Sequence, residues 1–332
     1  MFRKKIESFL FAQPNLDFRI FVVRLAVSLV TVSYVLIGPF DRFHVDAAPL
    51  LYRPVGPFSF IPELGYGGYY FLKYAVVVSG ITFALGFKSR LSNAVFALTY
   101  FVFAYYVGHF STQLFSYITH LNFFAIILCF VDSSRFWSLD WVLDPSRRDQ
   151  PYSLARREFA SFALAFMQLY LIAFYVQAGV NKLLIGGVDW FLTGATPYYG
   201  TLVSGTEPGL ALTRFPWVFK GVSLFTGFFE MGFFLILWKR LRWPFAVSVI
   251  GFHFGILLSM NIFFYQLSAV VPLLFLFEDT RDHRKALVGL GAYALFIGAL
   301  MSLTPLPARP LGTTETPLQA PIQAQPTVRL SE

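Results

Sequence analysis

Four ionisable side chains stand where this sequence is otherwise apolar: His120, Lys182, Glu230 and His253. An ionisable group inside a bilayer costs roughly 2.5–3.5 kcal/mol on insertion scales, so each needs a partner or a task. A carboxylate at mid-membrane must be protonated or paired. Glu230 has no lysine or arginine within a turn on its own helix, so its partner belongs to another helix, with His253 and His120 the expected ones. Lys182 ends an apolar block; a boundary lysine serves either as a snorkelling anchor or as a proton acceptor. Histidines in such blocks either bond a neighbouring helix or line a pocket. Arg24, in the first block, reads as a structural or headgroup-directed cation, and Cys129, the only cysteine, as a small core residue that excludes an intrachain disulfide.

The elements that position these groups follow from composition. Of 332 residues, 56% are hydrophobic and 13% charged, against about 25% charged in a soluble domain, and mean hydropathy is +0.61. A water-soluble globule is excluded. A transmembrane β-barrel would need short alternating strands, whereas 96–108 is apolar on every side. Apolar blocks near 19–38, 69–87, 92–110, 114–131, 158–181, 217–238, 244–262, 266–277 and 286–303 predict an all-α, polytopic integral membrane helix bundle of about eight or nine transmembrane helices. The eighth block is short and holds Pro272.

Basic residues cluster in alternate loops: Arg3, Lys4 and Lys5; Lys88 and Arg90; Arg147, Arg148, Arg156 and Arg157; Lys239, Arg240 and Arg242; Arg281, Arg284 and Lys285. The net charge of +8 therefore reads as a topology signal and not as a nucleic-acid surface. It places the N-terminus in the cytoplasm of the cell (inner or plasma) membrane, with a retained first helix. Segments 39–68 and 182–216 and the C-terminal tail then lie outside, and either long loop could cap a site opening outward. Residues 1–303 form one membrane domain; 304–332, rich in Pro, Thr and Gln, lack the apolar side chains needed to offset ordering entropy and read as disordered. The tryptophans Trp137, Trp141, Trp190, Trp217, Trp238 and Trp243 fall where an aromatic belt would. Neither a phosphate-binding glycine loop, a nucleophile elbow, an H-E-x-x-H pair nor a carboxylate run suited to two metals is present. No metal is indicated.

The stretch YVQAGVNKLLIGGVDWFLTG at 175–194 resembles the signature of the horizontally transferred transmembrane domain (HTTM) family, which includes the membrane domain of the vitamin K-dependent gamma-carboxylases. Ala178, Gly179, Lys182, Trp190 and Gly194 fill its places. Further landmarks recur in order: Gly-Phe-x-x-Arg at 86–90, WSLD at 137–140, Glu230, and His253 followed by Met260-Asn261. The continuation from Trp190 to Tyr199 is also similar to a bacterial membrane protein that matures a peptide toxin.

The resemblance implies that Lys182 is the base that deprotonates a reduced lipid quinone of the vitamin K type, with His120, His253 and Glu230 shaping the pocket. It implies as partners the lipid bilayer, a lipid quinol and a small peptide or protein substrate, and as activity a carboxylase- or epoxidase-like lyase or an oxidoreductase. The carboxylases carry a large further extracytoplasmic part for protein substrates, which this sequence does not match. The alternative is a non-enzymatic membrane protein: a transporter, an immunity factor or a toxin-maturation partner. A transporter predicts inverted repeats or discontinuous helices, and apart from Pro272 the sequence shows little of either.

Overall fold

The computed structural model describes residues 2–38, 40–41, 52–53, 59–110, 112–144, 146, 153–260, 262, 264–278 and 282–302. The tail 304–332, Arg147, Arg148, Arg281, Asn261 and most of 39–58 lie outside the described residues. Among those described the chain is all-α, with no strand. In chain order the helices are α1 (Phe2–Phe11), α2 (Leu16–Ile37), α3 (Tyr66–Leu85), α4 (Ser89–Gly108), α5 (Thr112–Cys129), α6 (Leu139–Leu143), α7 (Leu154–Gly186), α8 (Asp189–Thr193), α9 (Ala195–Ser204), α10 (Glu207–Leu212), α11 (Pro216–Met231), α12 (Arg242–Met260), α13 (Tyr265–Leu276) and α14 (His283–Ser302).

Among the described residues, five helices are long and apolar enough to cross a membrane: α2, α3, α4, α7 and α12. The eight or nine crossings expected from the apolar blocks are not matched one for one. An apolar run does not reveal whether it folds as one continuous helix or as shorter pieces. The sixth block breaks at Gly232, where a 3-10 turn over Phe233–Leu237 takes over. The 16 residues of α11 reach about 24 Å, short of the roughly 30 Å hydrocarbon core. The eighth block gives the 12-residue α13, with Pro272 inside it.

Helix α2 is the hub, packing on α3, α5, α7 and α13. Apolar residues such as Val22, Val27 and Val35 are fully buried along it, but so are Arg19 and Arg24, and the terminal nitrogens of both donate to backbone carbonyls of other elements. Arg24 donates to the carbonyls of Ser133 and of Trp137, the latter at 2.7 Å. Gly86, at φ 67, closes α3 against this guanidinium; a Cβ there would lie 2.5 Å from the Ser138 Cβ and 2.8 Å from the Arg24 Nη1. Asp140 then accepts the backbone N–H groups of Lys88 and Ser89 at 2.7 and 2.8 Å, capping the start of α4 from across the fold. Two sequence landmarks, 86–90 and 137–140, are thus one tertiary latch around Arg24, whose role is structural.

A second polar layer lies at the same end of the bundle, the basic end. Arg19 donates to Gln13 Oε1 and to the Leu274 carbonyl at 2.9 Å, Gln168 donates to that same carbonyl at 2.8 Å, and Glu278 meets Arg242 at 2.7 Å. At the far end, the segment 182–216, expected as a loop, is folded into α8, α9 and α10, which pack on α11 and α12. Its own signals explain this: Thr206 caps α10 by accepting the Gly209 N–H, Pro208 occupies its first turn, and Gly194 (φ 70) lets α8 turn into α9 where a Cβ would strike the Lys220 N at 2.5 Å.

Candidate functional site

Helix α7 organises the site. Its 33 residues rise about 50 Å and turn an apolar stripe outward through Phe162, Phe166, Leu169 and Val180, all exposed. The opposite face carries Gln168, Leu171, Tyr175 and Gly179, all buried, which is the 3.6-residue period of a helix with one face to the core. Lys182 follows on this face, seven residues beyond Tyr175 and one turn before the helix ends.

Gly179 decides what Lys182 meets. A Cβ at this position would fall 2.7 Å from Met231 Cγ, 3.0 Å from the Met231 backbone nitrogen and 3.1 Å from Glu230 Cβ. With only hydrogen there, the last turn of α11 lies against α7, and Glu230 arrives beside Lys182. The Nζ of Lys182 donates to Glu230 Oε1 at 2.8 Å and Oε2 at 2.7 Å, with a longer contact to the Ala178 carbonyl at 3.5 Å. The partner of Glu230 is therefore Lys182, not His253 or His120, and the lysine does not snorkel to the surface. The sequence pointed away from this pair because Lys182 sat at a block boundary while Glu230 sat inside one. Since α8–α10 lift the start of α11 beyond the end of α7, its last turn falls level with Lys182. The Glu230 side chain is 6% exposed and that of Lys182 28%. The Trp190 ring, brought back by the turn at Gly187 (φ 64), centres 5.5 Å from the lysine nitrogen, a cation–π distance.

The two histidines bond to tyrosines of the same helix. His253, buried on α12, places Nε2 2.7 Å from the Tyr175 hydroxyl, while its Nδ1 is buried without a hydrogen-bond partner among the described residues. Tyr175 stacks on Phe233 with centroids 4.1 Å apart, which fixes its ring. His120, buried on α5, places Nδ1 2.8 Å from the Tyr170 hydroxyl and its ring edge-on to Phe174. All four expected residues thus converge on α7, as one ion pair and two His–Tyr pairs. The stretch 175–194 begins at Tyr175 but gave it no role, and no motif named Tyr170; the spacing of seven between Tyr175 and Lys182 is a same-face signal.

A further ion pair also escaped the sequence reading. Lys73, buried within the second block, bonds both carboxylate oxygens of Asp41 at 2.7 and 2.8 Å, and Tyr69 donates to Asp41 at 2.8 Å. A lone lysine in an apolar block was the available signal. This pair lies on α3, across the bundle from α7, and ties down the chain just after α2.

Apolar helices of membrane-spanning length, with buried ion pairs set between them, define an integral membrane protein of the polytopic α-helical class. Residues 18–279 match the HTTM domain, and the chain belongs to that family. Neither a curated protein nor a solved structure matches it.

Proposed function

We propose that this protein is a quinol-dependent membrane enzyme in which Lys182, backed by Glu230, takes a proton from an acidic hydroxyl. The observation that supports this reading is the two-point bond between Lys182 and Glu230, deep enough to exclude water from the carboxylate yet leaving part of the lysine accessible beneath Trp190. Such a pair exists either as ions or as amine and acid. Desolvation disfavours the ions and their mutual attraction favours them, so the pair can hold or release a proton without stranding a charge.

The surrounding residues fit a quinol. Trp190 would hold its ring near the lysine, Phe252 and Phe264 flank His253, and the unpartnered Nδ1 of His253 suits a ligand oxygen. When bound, the quinol supplies the acidic O–H and the electrons that dioxygen accepts. Tyr175 keeps His253 in place, as Tyr170 does His120. The basic end faces the cytoplasm of the cell (inner or plasma) membrane, the site opens toward the other side, and a small peptide is the fitting second substrate.

Oxygen uptake by the purified protein in nanodiscs containing chemically reduced menaquinone tests the reading. The parent protein should consume oxygen above protein-free nanodiscs. Lys182→Arg should not, because a guanidinium keeps the ion pair but cannot exist as the neutral base. No uptake by the parent, or the parental rate in Lys182→Arg, overturns it.

A further inference from the structure

At the basic end, α1, the turn that follows it, the 3-10 turn and the start of α12 enclose a cavity of about 410 Å³ lined by Lys4, Lys5, Ser8, Gln13, Arg242 and Glu278, among others. We propose that this cavity binds the phosphate of an anionic phospholipid headgroup, a site independent of the one around Lys182.

Charge carries the first part of the inference. Glu278 is the one carboxylate lining the cavity and is already engaged twice, by Arg242 at 2.7 Å and by Arg19 at 3.6 Å. Two guanidinium groups thus face one carboxylate, and Lys4 and Lys5 add two cations that make no ion pair among the described residues. The acid of α1 itself, Glu7, is taken by Arg3 at 2.7 Å. The Nε of Arg242 is buried without a hydrogen-bond partner among the described residues. A cavity with surplus positive charge and an unused guanidinium donor is complementary to a phosphodiester.

Position selects a lipid over a free anion. Trp238 and Trp243, on either side of the basic run 239–242, are 66% and 63% exposed, as residues of a membrane–water interface are. Lys4, Lys5, Ser8 and Phe9 of helix α1 line the cavity, while Phe11 stacks on Phe162 at 6.0 Å. Helix α1 lies against α7 as an interfacial amphipathic helix does. The cavity therefore opens at headgroup depth, where a basic pocket meets the phosphates of its leaflet.

Native mass spectrometry of the intact protein in detergent, titrated with dioleoyl phosphatidylglycerol or dioleoyl phosphatidylcholine, tests the site. The parent should retain phosphatidylglycerol preferentially. Lys4→Gln/Lys5→Gln, two exposed changes that leave the Arg242–Glu278 pair intact, should weaken that retention about fivefold per lysine. Arg156→Gln/Arg157→Gln, at the same end but outside the cavity, should not. Equal retention of both lipids, equal loss in both double variants, or displacement of phosphatidylglycerol by millimolar inorganic phosphate would overturn the proposal.

Discussion

Removing the two members of the Lys182–Glu230 pair singly and together should give three different costs, because the partners are unequally buried. In Lys182→Met the Glu230 side chain, 6% exposed, keeps its carboxylate with no cation beside it. Breaking a buried pair in this way costs about 3–5 kcal/mol. In Glu230→Leu the survivor is a lysine already 28% exposed and one turn from the end of α7; its flexible stem can carry the amine toward the surface, so the cost falls to about 1–2 kcal/mol. Glu230→Gln keeps an acceptor for the amine and should cost about 1 kcal/mol. The double variant Lys182→Met/Glu230→Leu strands nothing and replaces the pair by apolar groups of similar volume, so it should lie within about 1 kcal/mol of the parent. The singles then sum to about 4–7 kcal/mol against about 1 for the double, a coupling of about 3 kcal/mol or more. Reversible unfolding in mixed micelles measures the parent and the four variants. Additivity within about 0.5 kcal/mol would mean that the two side chains do not act on each other, and the site would lose its foundation.

Gly179→Ala should destabilise the protein: the new methyl meets backbone at 3.0 Å, and the overpacking cost of about 1–3 kcal/mol exceeds the gain of about 1 kcal/mol in helix propensity. Gly221→Ala, in a helix with nothing within 4 Å of the added Cβ, should be neutral or slightly stabilising in the same assay. Asp140→Ala, which removes the tertiary cap of α4, should cost about 0.5–2 kcal/mol by thermal unfolding. A reporter fused after residue 303 should be extracytoplasmic and one fused near 147 cytoplasmic, since α14 starts at the basic end beside Trp243 and Asp282 and runs away from it; a cytoplasmic signal from the tail would refute this topology.

Composition and block length were enough to read the all-helical membrane class, because an apolar stretch of sufficient length has few other ways to satisfy its backbone. They were not enough to count the crossings. The break at Gly232 lies in the middle of an apolar run, where hydropathy is blind and only the backbone geometry of Phe233–Leu237 reveals the change. The helices of 182–216 were missed for the converse reason: five- to ten-residue elements between capping residues leave no hydropathy signature. Within the site, the ionisable residues were legible one by one because each violated its apolar surroundings. Their pairing was not, since it depends on how far α11 starts above the end of α7 and on how closely Gly179 lets the two helices approach.

The arrangement along α7 bears on why the Lys182 end, rather than another polar layer, is assigned the chemistry. From Gln168, in the polar layer at the basic end, to Lys182 is 14 residues, about 21 Å of helix. The groups near Gln168 bond one another and backbone carbonyls, and the guanidiniums of that layer share the carboxylate of Glu278, so each of its ionic groups has an ionic partner. Tyr175 and His253 are equally buried, and His253 Nδ1 has no partner among the described residues, a position that a ligand atom would satisfy. At Lys182 the carboxylate is sealed and the amine is not. A clamp serving stability alone gains nothing from keeping its cation accessible, because exposure weakens the pair by solvent screening. A proton-transfer site requires that accessibility, so it is the unequal burial of Lys182 and Glu230 that favours chemistry at this end of α7.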